Sequence, residues 1–189
     1  MYAIKKEALQ LLEQQQLKGN IDLFYADETR VSEEGYAPYG WQFDDEDVHI
    51  EATRGRSLNC FGLLSRELVY HGATTESMIN ADFILKFMDE FSLKIVNTTV
   101  AIFDNAPVHK ARKIKERLEI WQKRGLYIFF LPPYSPQLNI IERFWKELKE
   151  GWLKPEDYHT ADDLFYACNQ ILSGVGTEFK MNFAECFQF

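Results

Sequence analysis

Three acidic residues stand where an acid does little for folding. Asp27 ends the apolar run Ile21–Ala26, Asp104 follows the apolar run Thr99–Phe103, and Glu142 opens a late amphipathic segment. If those runs are strands of one α/β sheet, their ends form the rim on which such folds build active sites. Carboxylates that converge on a rim repel one another unless a hard cation lies among them. Mg²⁺ suits that place, because it takes oxygen ligands and is held by one or two carboxylates together with substrate phosphate. Two such ions about 4 Å apart would activate a water or hydroxyl and stabilise the leaving oxygen of a phosphodiester. Singly, each acid has a plainer reading. An Asp after a strand makes turns and helix caps, and a Glu in a first helical turn complements the helix dipole.

The elements that must carry these acids can be read from pattern. Residues 4–17 read as a short helix. Ile21–Ala26 reads as a first strand ending at Asp27-Glu28-Thr29. Gly35–Gln42, Ser57–Ser65 and Glu67–His71 read as further strands, with turns at Arg54-Gly55-Arg56 and Ser65-Arg66, which together predict an antiparallel meander. Ile79, Phe83, Phe87 and Phe91 recur every fourth residue, as on an amphipathic helix. Thr99–Phe103 is apolar and β-branched, the pattern of a buried strand. Beyond it, Pro107 suits a first helical turn. Val108, Ala111, Ile114, Leu118 and Trp121 then give an apolar face, and Gly125 is a stop. Leu126–Leu131 predicts the next strand, a PPYSP loop follows, and a helix over about 138–152 turns Ile141, Trp145, Leu148 and Trp152 inward. The fold class is therefore α/β: an antiparallel three-stranded meander plus parallel strands in one mixed sheet flanked by helices, the ribonuclease H-like layout.

Composition sets the frame. The chain has 189 residues, 46% hydrophobic and 15% aromatic, enough for a real core and unlike a disordered or fibrous chain. Its apolar runs fall far short of the ~20 residues that cross a bilayer, and MYAIKKEALQLLEQQQ is too polar for a signal peptide. Cys60, Cys168 and Cys186 are widely spaced, which argues against a disulfide framework or zinc site and for a reducing cytoplasm. A net charge of −8 by itself argues against a nucleic-acid partner. The charge is unevenly spread, however: residues 110–124 carry seven Lys/Arg against Glu116 and Glu119, residues 156–189 carry six acids against Lys180, and Asp44–Asp47 is a solid acidic run. A basic stripe on an acidic protein can still hold DNA.

Five segments carry a resemblance. FYADETR (24–30), GYAPYGWQ (35–42), RGRSLNCFGLL (54–64), AIFDNAPVHK (101–110) and LPPYSPQLNIIERFWKELK (131–149) closely resemble the catalytic domain of bacterial insertion-sequence transposases of the mariner type. These belong to the DDE transposase and retroviral integrase superfamily. The resemblance covers residues 20–155, and its most specific part is LPPYSPxLNxIExxWxxLK. It implies that Asp27, Asp104 and Glu142 form the acid triad that binds catalytic metal, Mg²⁺ or Mn²⁺ and two ions. It further implies that the partner is DNA, both element ends and target. No membrane and no small-molecule cofactor are expected, and a homodimer is possible. The reaction implied is metal-dependent cleavage followed by strand transfer. Between Asp104 and Glu142 lie 37 residues, slightly more than is usual in the family. Ile140 stands where the family commonly has Pro, a position that supplies no ligand. Such transposases normally carry an N-terminal helix-turn-helix region, whereas here about twenty residues precede the first strand. The expectation is a second product of a split reading frame, a truncated copy or a catalytic part.

Other residues carry weaker signals. Asn105 and His109 follow Asp104 in the resembling segment; His109 would touch phosphate or orient Asp104, or else be a surface histidine beside a capping Asn. Asn139 reads as the N-cap that fixes the helix start and with it Glu142. Glu28, next to Asp27, must point to the other face if the strand continues. Tyr134 could stack on a base or pack its own turn. Lys110, Lys113, Arg117 and Arg124 form the basic stripe, and Arg143 and Lys146 flank Glu142; these are DNA-backbone candidates or solvated helix faces. Trp145 and Trp152 read as core. Phe179, Phe183 and Phe187 recur at four-residue spacing, predicting a helix near the C-terminus. The organisation expected is a helical lead-in (1–19), a catalytic domain (20–155) and a helical extension (156–189) that packs on the domain or on a second subunit. A plain ribonuclease H-like nuclease or resolvase, and a catalytically silent DNA-binding remnant, are the alternatives.

Overall fold

In the computed structural model, which describes residues 2–33 and 55–183, the chain runs α1 (Tyr2–Leu17), β1 (Asp22–Ser32), β2 (Ser57–Leu64), β3 (Tyr70–Thr75), α2 (Ala81–Ser92), β4 (Thr99–Phe103), α3 (Arg112–Lys123), β5 (Leu126–Phe130), α4 (Ile140–Glu147) and α5 (Ala161–Ser173). The expected strand Gly35–Gln42, the acidic run Asp44–Asp47, Cys186 and Phe187 lie outside the described residues. The strand order is β3-β2-β1-β4-β5. Strands β1, β2 and β3 are antiparallel neighbours, and β1, β4 and β5 are parallel neighbours. The mixed sheet expected from the meander and the later helix–strand alternation is therefore present.

The first strand departs from expectation in a way that matters. It does not stop at Asp27 but continues to Ser32. Its first part, Asp22–Tyr25, pairs with β4, and its second part, Tyr25–Ser32, pairs with β2. Ladder hydrogen bonds to β2, not an apolar pattern, keep the polar half extended. Strand β3 starts at Tyr70, later than the predicted Glu67. A turn takes up those residues: Leu68 has φ 61°, and the Val69 N–H donates to Ser65 Oγ at 3.2 Å.

Two cores sandwich the sheet. On one face Leu23, Tyr25, Ile102, Leu9 of α1, Phe144 and Trp145 of α4, and Leu164 and Cys168 of α5 pack together. On the other, Phe24, Ala26, Ala101 and Phe103 meet Ile84, Met88, Ile114 and Trp121 of α2 and α3. The segment 161–173 thus packs on the domain itself. The helix predicted through Phe179 and Phe183 does not form. Gly176, at φ 83°, makes a turn after α5 in which residues 177–179 bond back to Gly174, and Phe179 packs on Trp152 with ring centroids 5.5 Å apart. The long helix predicted over 138–152 is also divided, into a 3₁₀ turn at Pro136–Leu138, α4, and a π turn at Leu148–Trp152. No helix among the described residues is long and apolar enough to cross a membrane.

Helix α2 begins at its cap, Asn80, whose side chain accepts from the Phe83 N–H at 3.0 Å. Helix α3 lies along it. Asp89 accepts from Arg117 Nε and from Trp121 Nε1, both at 2.8 Å. Lys113 meets Asp82 at 2.6 Å, and Arg124 donates to Ser92 Oγ at 2.8 Å. Burial pushes the Asp89 carboxyl up, but its bonds to Arg117 and Trp121 outweigh this and hold it below the ordinary range. Asp89→Asn should therefore cost about 1 to 2 kcal/mol in urea unfolding near neutral pH. A depressed carboxylate contributes fully above its ordinary pKa and loses that contribution as the pH falls through its lowered folded-state value, so the difference from wild type should disappear below the carboxylate range.

Candidate active site

The parallel register sets the first two acids side by side. Carried two positions past Tyr25↔Ile102, it brings Asp27 level with Asp104, which directly follows β4. Tyr25 and Ile102 both face the core that contains α4, so Asp27, two residues on, faces α4 as well. Across the β1–β2 ladder Asp27 stands opposite Gly62. A Cβ on Gly62 would lie 2.5 Å from the Tyr70 ring, so only glycine lets that ring lie over the sheet and pack on Phe144 and Trp145 of α4. In this way β2 and β3 support α4 against the strand bearing Asp27.

Glu142 occupies the first turn of α4, which Ile141, Phe144 and Trp145 hold in the core. Asn139 stands at the N-cap position, but its side chain makes no capping hydrogen bond. Its amide instead donates from Nδ2 to the carbonyl of Ala26 at 3.2 Å, pinning the start of α4 to the residue before Asp27. The expected influence on Glu142 is therefore exerted through the sheet and not through a cap. Asn139 is buried, and its Oδ1 has no partner among the described residues.

Asp104 is held from behind. The Ala106 N–H donates to Asp104 Oδ1 at 2.9 Å, and His109 Nδ1 meets the same oxygen at 2.5 Å. The other ring nitrogen of His109 lies 3.0 Å from Glu28 Oε2. His109 is no surface histidine: it is 1% exposed. The predicted continuous helix from Val108 is broken to put it there. A 3₁₀ turn spans Val108–Lys110, and Ala111, with ψ 147°, separates it from α3. Asn105 caps nothing but donates to the carbonyl of Leu131, tying the exit of β4 to the start of the PPYSP loop. At the tip of that loop Tyr134 is fully exposed with φ 52°.

A cleft of about 500 Å³ joins these parts, lined by Asp104, Asn105, Lys110, Tyr134, Asn139 and Glu142 among others. A second groove of about 350 Å³ runs past Glu142, Arg143 and Lys146. Of the expected basic stripe only Lys110 borders the cleft; Lys113, Arg117 and Arg124 face α2 and meet its side chains.

Electrostatics separates the three acids. Burial, followed by the charges of Glu142, Glu28 and Asp104, pushes Asp27 up to about 8, and no cation among the described residues opposes them. Glu142 is raised by partial burial and then by Asp104, with Lys149 opposing. Asp104 goes the other way: burial would raise it, but His109 and the Ala106 N–H hold it below its ordinary value. His109 itself is pushed up to about 9, because its two carboxylate partners outweigh burial. Three oxygen-only donors under mutual repulsion are the donor chemistry of a hard divalent cation. As the side chains stand, no group of three His, Cys, Asp or Glu among the described residues could hold a metal ion. What the acids share is a rim and one another's charge. Sequence reasoning placed Asp27, Asp104 and Glu142 on that rim but gave Glu28 no partner. The alternation of faces along β1 was the signal, and it became usable only once the strand was known to continue.

The model of a family described as DDE superfamily endonuclease matches residues 22–165. The uncharacterized protein y4pE/y4sA of Sinorhizobium fredii is 32% identical over 69 residues, which is 36% of this chain and 47% of that protein. The chain thus matches less than half the length of that curated relative. Among solved structures, the catalytic core domain of BIV integrase superposes with a TM-score of 0.52 at 12% identity, covering 84% of this chain and 86% of that one. The HTLV-2 integrase catalytic core domain in complex with magnesium gives 0.51 at 13% identity, covering 85% and 89%. The Mos1 strand transfer complex gives 0.49 at 12% identity, covering 93% and 62%. At these identities the integrase cores share the fold.

The raised acids set the sign of a pH dependence. A carboxyl raised from 3.8 to about 8 favours folding at low pH and loses that contribution as the pH climbs between those values. His109, raised from 6.5 to about 9, acts in the same direction over its own window. In chelator, stability should fall from about pH 5 to about pH 9. Asp27→Asn should flatten the lower part of the curve and add about 2 kcal/mol or more near pH 8, at ~1.4 kcal/mol per unit of raised pKa. Thermal melting across that range checks it, and a variant curve parallel to wild type would contradict the crowding of Asp27.

Proposed function

The chain belongs to the DDE superfamily endonucleases, and we propose that it is the catalytic domain of a mariner-type insertion-sequence transposase. In this reading it cleaves DNA phosphodiesters at the ends of a mobile element in a bacterial cytoplasm and joins the freed 3′-hydroxyls to target DNA. The observation that carries the reading is Asp27: a carboxyl in register with Asp104, raised by burial and then by its acidic neighbours, with no cation among the described residues to counter them. Such a group suits a divalent ion better than any structural role.

Asp27, Asp104 and Glu142 would hold Mg²⁺ or Mn²⁺, as two ions. Bound there, the metal supplies Lewis-acid polarisation of the scissile phosphate and a more acidic attacking water. The chain's own part is positioning. His109 and the Ala106 N–H fix Asp104 through one oxygen, which leaves Oδ2 for the cleft. Asn139 fixes the helix that carries Glu142. Lys110 on the cleft wall meets phosphate, and Arg143 and Lys146 extend the positive track along α4. Lys113, Arg117 and Arg124, already engaged with α2, contribute long-range charge at most. Tyr134, fully exposed at the cleft mouth, offers a face for an unstacked base. Water is the nucleophile in cleavage and the 3′-hydroxyl in joining, with no covalent enzyme intermediate. Bringing two element ends together calls for two copies of the domain.

Two tests follow from these roles. Asp104→Asn and Glu142→Gln should each reduce Mg²⁺- or Mn²⁺-dependent nicking of supercoiled plasmid by more than about 100-fold, in keeping with the large share that metal positioning takes of such reactions. Their melting should differ: Asp104→Asn removes one of the two charges that hold His109 and melts lower, whereas Glu142→Gln relieves repulsion and does not. Nicking that survives Asp104→Asn contradicts the reading, and incorporation of a labelled 3′-hydroxyl oligonucleotide separates a transposase from a plain nuclease. Lys110→Glu with Lys146→Glu should weaken DNA binding and lower the salt slope by about 2, near 0.9 for each phosphate contact. Lys113→Glu should leave that slope unchanged.

A further inference from the structure

We propose that Glu28 is a positioning residue for Asp104, acting from the opposite side of the sheet through the imidazole of His109. The inference rests on the reading of Asp104 as a metal-holding carboxylate. Asp27 and Glu28 are consecutive residues of a continuous strand, so they leave it on opposite faces. Asp27 faces α4, and Glu28 reaches His109 at 3.0 Å on the side of α2 and α3. His109 spans from there to Asp104, its ring edge-on to Phe103 with centroids 4.9 Å apart and its side chain wholly buried.

The arrangement restricts Asp104 to one pose. Both donors to its carboxylate, the Ala106 N–H and His109 Nδ1, converge on Oδ1. Oδ2 has no hydrogen bond among the described residues, so it is the oxygen left for a ligand. A carboxylate just past a strand end would otherwise sample several rotamers. The hold is only as good as the orientation of the imidazole, and Glu28 is the sole partner of Nε2 among the described residues. Without it, a buried ring N–H would lack an acceptor, and a flipped ring would no longer present Nδ1 to Asp104. Groups hydrogen-bonded to metal-holding side chains typically matter 10- to 100-fold for metal affinity or activity, and Glu28, one bond further out through His109, is expected at the low end of that range.

The test compares Glu28→Ala, Glu28→Asp, Glu28→Gln, His109→Ala and the Glu28→Ala/His109→Ala double variant. For each, Mn²⁺ binding is titrated by the free-ion electron paramagnetic resonance signal, the Mn²⁺ concentration for half-maximal plasmid nicking is measured, and melting is recorded. Glu28→Ala should weaken Mn²⁺ binding about 10-fold and raise the half-maximal concentration to match, with a smaller loss of nicking at saturating metal. In the His109→Ala background it should add nothing. Glu28→Asp, one methylene too short, should lose affinity, whereas Glu28→Gln, with an acceptor at the right reach, should retain most of it. That pair carries the test should Glu28→Ala fail to fold. A lowered melting temperature with wild-type Mn²⁺ affinity overturns the proposal, as do losses that add in the double variant or an equal loss in Glu28→Gln and Glu28→Asp. Wild-type Mn²⁺ binding that Asp104→Asn abolishes and Glu28→Ala spares overturns this proposal alone. Mn²⁺ binding and nicking indifferent to Asp104→Asn overturn the reading of the site as well.

Discussion

Negative charge gathered in a poorly solvated place is costly, because each carboxylate loses hydration and gains like-charged neighbours. Asp27 meets both conditions: it is 8% exposed, and Glu28, Asp104 and Glu142 all act on it. The rest of the architecture makes that position tenable. Two apolar cores fix β1 from both faces, Gly62 admits the Tyr70 ring that supports α4, and the Asn139 amide ties α4 back to the carbonyl beside Asp27. None of these contacts relieves the repulsion. They hold the backbone so that it cannot be relieved by moving apart, which is how a fold keeps strain at a functional rim.

Within that constraint the environments of Asp27 and Asp104 diverge. Asp104, bonded to an imidazole and a backbone N–H, stays ionised, whereas Asp27 is drawn toward its protonated form near neutral pH. Neighbouring acids pushed apart in this way take different parts in chemistry. In the proposed reading Asp104 would hold a cation as a carboxylate that is already ionised, whereas Asp27 would have to be deprotonated to do so. Metal binding at this rim would therefore release a proton.

Much of this was legible in the sequence, for identifiable reasons. Thr99–Phe103 forms a strand with the predicted limits because a strand buried on both faces is apolar throughout and has an unmistakable pattern. The antiparallel meander and the later parallel strands also follow from pattern. The polar half of β1 was illegible, since Asp27-Glu28-Thr29 carries no apolar signal and is held by pairing with β2, a non-local fact. The same loss of information hid the contact of Glu28 with His109. The broken helix after Pro107 was hidden for the opposite reason. Its apolar spacing suits a continuous helix, but the bonds of His109 to Asp104 and Glu28 draw the first turn away from it. Tertiary hydrogen bonds override local periodicity in both cases, and both lie at the candidate site.

The charge pattern follows the same logic. Seven basic residues in 110–124 suggest a continuous DNA-binding face, yet the fold divides them. The side toward α2 meets Asp82 and Asp89, so Lys113, Arg117 and Arg124 serve the packing of two helices. Lys110 precedes the break at Ala111 and is turned instead to the cleft wall, its ammonium 5.9 Å from the centre of the Phe130 ring. The break that aims His109 at Asp104 is therefore also what separates Lys110 from its stripe. One irregular turn supplies the acid with its anchor and the cleft with its cation. Local placement, not net charge, reconciles a chain of −8 with the proposed phosphodiester substrate.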